Sequence, residues 1–239
     1  MPAKVTHPLH RPSEKAFFEA SGSALKNPKL RRNFKRAMNG LMEKRRDIFP
    51  DASELEETRG RAGGIRRKTL AHLPELLEQL EANCERNGIR VHWAETTEQA
   101  NQIVLEIARS ANARLAVKGK SMVSEEMHLN AFLEEHGIEA IESDLGEYII
   151  QVDHELPSHI IMPAIHKNLN EIADLFHEKV DPNRTHETPE EMTETARLIL
   201  RQKFQDADMG ISGVNFAVAE TGTLCLVENE GNGRFSTTL

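Results

Sequence analysis

From residue 88 onward, short apolar runs alternate with amphipathic helical stretches, and a glycine or a capping residue marks most of the joints. This alternation constrains the fold more than any other feature of the chain. Strands separated by a helix's worth of residues cannot form hairpins; they pair side by side in parallel, with each helix crossing a sheet face. Ile89–Trp93, Arg114–Val117, Ile138–Ile141 and His159–Met162 read as strands. Thr96–Ala111, a stretch running to about His136, Asn168–Phe176 and Pro189–Phe204 read as helices, with Thr96 or Thr97 and Thr188 placed as caps. Residues 145–152 fit either state. The expected class is α/β, with a Rossmann-like, mostly parallel sheet.

Both flanks depart from this texture. After residue 207, Ala207–Ile211, Asn215–Ala219, Thr223–Val227 and Phe235–Leu239 read as strands joined by short glycine-containing turns, which suits a meander or hairpins. The last of these stops within a strand pattern, so residues 88–239 are expected to be an α/β domain truncated at its C-terminus. Residues 1–87 read as a loose tail followed by a basic helical arm. Ser13 caps a helix holding Phe17 and Phe18, and Pro28 opens a second helix that Pro50 ends. A third helical pattern covers Glu54–Asn87, interrupted near Gly60, Gly63 and Gly64 and stopped by Gly88.

Charge divides along the same line. Residues 1–70 carry 17 Lys/Arg against 8 Asp/Glu, whereas residues 71–239 carry 13 against 30. A basic arm on an acidic body fits docking to a protein surface, its own or a partner subunit's, better than it fits nucleic acid. No run of 18 apolar residues is present, so no transmembrane segment is expected. The two cysteines, Cys84 and Cys225, suit reduced thiols in a cytoplasmic protein and are too few to ligate an iron–sulfur cluster.

Candidate chemistry lies at turns. Lys118-Gly119-Lys120-Ser121 joins a strand to a helix, where open α/β sheets bind ligands. Lys118, Lys120, Ser121 and Ser124 would suit a small carboxylate or phosphate. The turn is not a Walker A loop, because Arg114 stands where the first glycine of that motif belongs. His166 follows an apolar strand and is a candidate acid–base group. Glu220 ends another apolar run, an unusual place for a carboxylate unless it is bonded or working. Ser212, Asn215 and Thr221 offer uncharged polar groups near it, and Arg234 offers a carboxylate fork. No histidine or acidic spacing marks a metal site.

The segments Lys118–Glu126, Ser143–Tyr148, Pro157–Ile161, Pro163–Asn168 and Gly210–Thr223, in that order, resemble the lactate-utilisation domain family and its bacterial iron–sulfur members. The likeness runs from about residue 13 onward. It implies a fold similar to the sugar-phosphate isomerase and CoA-transferase superfamily, and a part in oxidising L-lactate to pyruvate alongside other subunits of a lactate-utilisation complex. A homo-oligomer is a further expectation. In CoA-transferase relatives a strand-end glutamate is catalytic, which points to Glu220. The likeness also implies two [4Fe–4S] clusters for electron transport in a ferredoxin-like C-terminal segment, and no cofactor within these residues. Two further roles compete with oxidation: a scaffold without catalysis, and a transferase or isomerase acting through Glu220.

Overall fold

A computed structural model of the chain describes residues 13–155, 157–158, 162–228 and 230–238. Four helices come first: α1 (Glu14–Lys26), α2 (Pro28–Ile48), α3 (Ala52–Ala71) and α4 (Leu73–Arg86). Their starts follow capping chemistry. The Ser13 hydroxyl accepts the Ala16 N–H, Asn27 accepts those of Lys29 and Leu30 ahead of Pro28, and Asp51 accepts that of Ser53. The break expected at Gly60–Gly64 falls instead at His72, ahead of Pro74. Glycine inside a helix costs about 1 kcal/mol but keeps its hydrogen bond, whereas proline has no N–H and crowds the preceding turn. Gly88, at φ +81°, then closes α4 as expected.

The expected strand at Ile89–Trp93 does not form. Among the described residues this stretch has no ladder partner; the Ile89 N–H donates to the Cys84 carbonyl, and the exposed Trp93 indole donates to Glu81 at 2.7 Å. After it come α5 (Thr97–Ser110), β1 (Leu115–Lys118), α6 (Met122–Glu126), α7 (Leu129–Glu135), β2 (Glu139–Glu142) and α8 (Leu145–Asp153). The single helix expected up to His136 is split where His128 adopts a left-handed conformation, φ 54°. The ambiguous 145–152 stretch is helical. Residues 159–161 of the expected strand His159–Met162 lie outside the described residues, and Met162 is exposed.

The chain continues through α9 (Leu169–Leu175), which widens into one π-helical turn at Phe176–Val180, then α10 (Pro189–Asp206) and β3 (Met209–Ile211). The main sheet has the order β2-β1-β3, with both pairings parallel. β3 therefore belongs to the parallel sheet and not to a C-terminal meander; the 18-residue α10 before it forms the return crossing. β1 is central and all four of its residues are buried. Helices cover both faces. Leu105 and Ala108 of α5 and Leu129 and Leu133 of α7 pack with Ala116 and Ala140 on one side. On the other, Tyr148, Phe176, Met192 and Ala196 pack against Ile141. Ala140 and Ile141 thus separate to opposite faces, as a strand's twofold period requires.

β4 (Phe216–Val218) and β5 (Thr223–Cys225) form an antiparallel hairpin, followed by α11 (Asn232–Thr238). The strand expected at Phe235–Leu239 is overturned, because residues 232–238 are helical. Phe235 donates its N–H to Gly231, and the Ser236 hydroxyl closes on the Asn232 carbonyl. Packing against β3 prevails over the local β-preference of the Phe-Ser-Thr-Thr run. Among the described residues, no helix is long and apolar enough to cross a membrane.

Candidate functional site

Three loops converge at the carboxyl ends of the parallel strands. Gly119 donates its N–H to Ile211 at 2.7 Å, tying the end of β1 to the end of β3, and Ser143 bonds the Lys118 carbonyl through both its N–H and its hydroxyl. Gly213 makes the approach possible. A Cβ there would lie 2.9 Å from the Lys120 carbonyl oxygen and 3.2 Å from the Ser121 Cβ.

Lys118 ends β1 and Lys120 lies two residues on, in the loop, and their side chains point to different places. Lys118 is sealed inside, with its Nζ 2.7 Å from Glu142 Oε1. Glu142 also accepts from the Asn130 amide at 2.7 Å. Burial pushes the Glu142 carboxyl up, against the pull of Lys118. Lys120 reaches the surface, where its Nζ lies 2.9 Å from Asp144 and 3.7 Å from Glu147. Burial alone would lower its affinity for a proton, but the hydrogen bond to Asp144 and the charges of Glu147, Asp144 and Glu230 hold the ammonium above its ordinary range.

Asp144 and Glu147 open α8, and Asp144 caps it through the Gly146 N–H at 3.3 Å. The two carboxyls hydrogen-bond to each other and divide their titration. Burial, then the hydrogen bond and charge of Asp144, push Glu147 up to about 8. Burial also acts on Asp144, but donation from Glu147 and Lys120 wins, and its carboxyl stays below the usual range. Near neutral pH the pair therefore holds one proton on Glu147 and one negative charge on Asp144. Burial and the charge of Asp144 raise Glu230 as well.

Lys120, Asp144, Ser212, Asn215, Glu228 and Glu230 line a cavity of about 100 Å³. Three of the sequence-chosen residues, Lys120, Ser212 and Asn215, thus share a wall. Asn215 also clamps its loop, accepting the Val227 N–H at 2.8 Å. Ser121 and Ser124 serve the start of α6: the Ser121 hydroxyl accepts the Ser124 N–H, and the Ser124 hydroxyl donates back to the Ser121 carbonyl. Arg234 lies next to this wall, its backbone N–H bound to Glu228.

Glu220 and Thr221 lie elsewhere. They form the β4–β5 turn, which is pinned to the end of α4: Asn83 donates to the Ala219 carbonyl at 2.6 Å and Asn87 to that of Thr221 at 2.8 Å. Glu220 is exposed there and does not line the Lys120 cavity. His166 pairs with Glu155 at 2.5 Å, beside Lys167 and its partner Asp153. Sequence reasoning passed over Asp144 and Glu147. Their signal was available as two acids three residues apart at a helix start directly after a strand, so both project from one turn. Among the described residues, no three His, Cys, Asp or Glu side chains are arranged to hold a metal ion. With two cysteines, one in α4 and one in β5, the chain's donors do not fit a four-thiolate iron–sulfur cluster.

Residues 77–239 match the LUD domain. The chain belongs to the LUD-domain family. The chain is similar to Lactate utilization protein B of Bacillus pumilus, 45% identical over 226 residues that cover 94% of this chain and 48% of that protein. The Bacillus subtilis protein of the same name is 43% identical over 225 residues, 94% of this chain and 47% of its own length. That of Bacillus cytotoxicus is 45% identical over 220 residues, 92% and 46% respectively. The chain spans about half the length of these curated relatives. No solved structure matches it.

Proposed function

We propose that this LUD-domain chain takes part in lactate utilisation, as the ligand-binding portion of a system that oxidises L-lactate to pyruvate. The observation that carries this reading is the likeness to Lactate utilization protein B along 94% of the chain. The Lys120 cavity supports it chemically. Its volume suits a three-carbon acid, and it places a cation beside a proton acceptor. The Lys120 ammonium pairs with the substrate carboxylate. Asp144, kept ionised, is placed to accept the hydroxyl proton, while the C2 hydrogen and the two electrons pass to the acceptor that lies outside this chain. Glu147, behind Asp144, stays protonated and so adds no further negative charge to a cavity that Asp144, Glu228 and Glu230 already line. Ser212 and Asn215 add neutral polar groups to the lining.

This chain's share of the reaction is binding and proton handling. We assign electron transfer, and the two [4Fe–4S] clusters that the family likeness implies, to sequence outside these 239 residues and to partner subunits. Deleting the gene should abolish growth on L-lactate and spare growth on glucose. Calorimetry of the chain with L-lactate, pyruvate and inorganic phosphate tests the cavity. Binding that Lys120→Ala removes is expected, and no heat from any of the three at about millimolar concentration overturns the small-acid reading.

A further inference from the structure

Helices α1, α2 and α3 contain 13, 21 and 20 residues, and not one of these is buried. Helices of this length hold their shape in water chiefly by packing an apolar face, since propensity alone leaves them marginal. Leu30, Phe34 and Ala37 of α2 are half-buried, but the rest of such a face is uncovered: Phe17, Phe18, Leu25, Met38, Leu41 and Met42 are all exposed. Among the described residues, α2 is bonded to the body through Lys29, bidentate to Glu171 at 2.5 and 2.7 Å, and Asn33, donating to the Ile165 carbonyl at 3.0 Å.

We propose that residues 13–71 are a docking arm that packs against the acidic body of a second copy of this chain. Charge selects the occupant. Residues 1–70 hold 17 basic against 8 acidic side chains, so two arms laid on each other would repel, whereas residues 71–239 hold 13 against 30 and attract the arm. The Lys29–Glu171 pair is that chemistry already made within one copy. Reciprocal exchange of arms closes a two-fold dimer, covers both apolar faces, and places the surplus positive charge of each arm on the surplus negative charge of its partner. The inference is independent of the lactate reading, because it rests on burial and charge alone.

Sedimentation equilibrium of the 239-residue chain at about 50 µM tests it, with a mass near twice 26.9 kDa expected. Phe17→Glu with Phe18→Glu, at sites 59% and 61% exposed in the single copy, should weaken the dimer at least tenfold while far-UV circular dichroism stays unchanged. Salt at about 0.5 M should weaken it too. In a mixture of isotope-labelled and unlabelled chains, carbodiimide cross-links between copies should join arm lysines to carboxylates beyond residue 71. A monomer, a dimer indifferent to the Phe pair and to salt, or inter-copy cross-links that do not reach from the arm to the body overturns the proposal.

Discussion

Lys118 and Glu142 are register partners on adjacent parallel strands, and their side chains form an ion pair 2.7 Å apart with almost no exposure to solvent. Such a pair is costly to break and cheap to replace. Removing one partner strands a buried charge, whereas exchanging both for apolar groups of similar volume removes two desolvation penalties together. Lys118→Met should therefore destabilise the fold by about 3–5 kcal/mol in urea titration, and Lys118→Met with Glu142→Leu should recover most of that loss. A double variant as unstable as the single one would show that the pair does more than neutralise itself.

The Glu147 carboxyl gives stability a pH dependence of definite sign. Its affinity for a proton is raised by folding, from an ordinary 4.5 to about 8. The folded state therefore binds a proton more tightly than the unfolded chain. This contribution is fully present below pH 4.5 and is lost as pH rises through 8. Among the described residues, Asp144 and Lys120 face Glu147; Asp144, shifted down, acts in the opposite sense at the acid end. The melting temperature should fall between pH 5 and pH 8, and Glu147→Gln, which keeps a neutral group at all pH, should flatten that slope. An unchanged slope in the variant would place the titration elsewhere.

Gly213 tests whether the loops must touch. Gly213→Ala puts a methyl group 2.9 Å from the Lys120 carbonyl oxygen, a backbone atom that cannot swing aside. Thermal denaturation should register a loss of about 1–3 kcal/mol, and affinity for a small acid should fall with it as the cavity wall moves.

Gly210 tests the last helix in the same way. A Cβ there would fall 1.5 Å from the Ser236 carbonyl oxygen, so Gly210→Ala must lift α11 away from β3. Amide exchange of residues 232–238 should then accelerate strongly compared with that of β1, which lies at the sheet centre.

Much of this was readable from the residues. Periodicity located α2, α5 and α10; the caps at Ser13 and Thr188 mark helix starts to the residue, and of the two candidates Thr96 and Thr97 the structure has Thr96 as the cap of α5. The strand-to-helix turn at 118–121 indicated which end of the sheet would carry polar groups. Three kinds of information were missing. Strand partners are tertiary, so Ile89–Trp93 looked like a strand but found no neighbour, and β3 looked like part of a meander but joined β1. Local preference at 235–238 was outweighed by packing on Gly210. Direction was hidden too: Lys118 and Lys120 look equivalent in sequence, yet one closes a buried pair and the other faces a cavity. Glu220 stood out because a strand-end acid is rare, but its turn belongs to α4.

The bonds from Asn83 and Asn87 to the β4–β5 turn join positions more than 130 residues apart, and Lys29 grips Glu171 across a similar distance. The covalent link between the helical arm and the sheet runs through the irregular, largely exposed stretch at 89–95. A protease would cut there first, and the two pieces would stay together after the cut, parting only when denaturant is added.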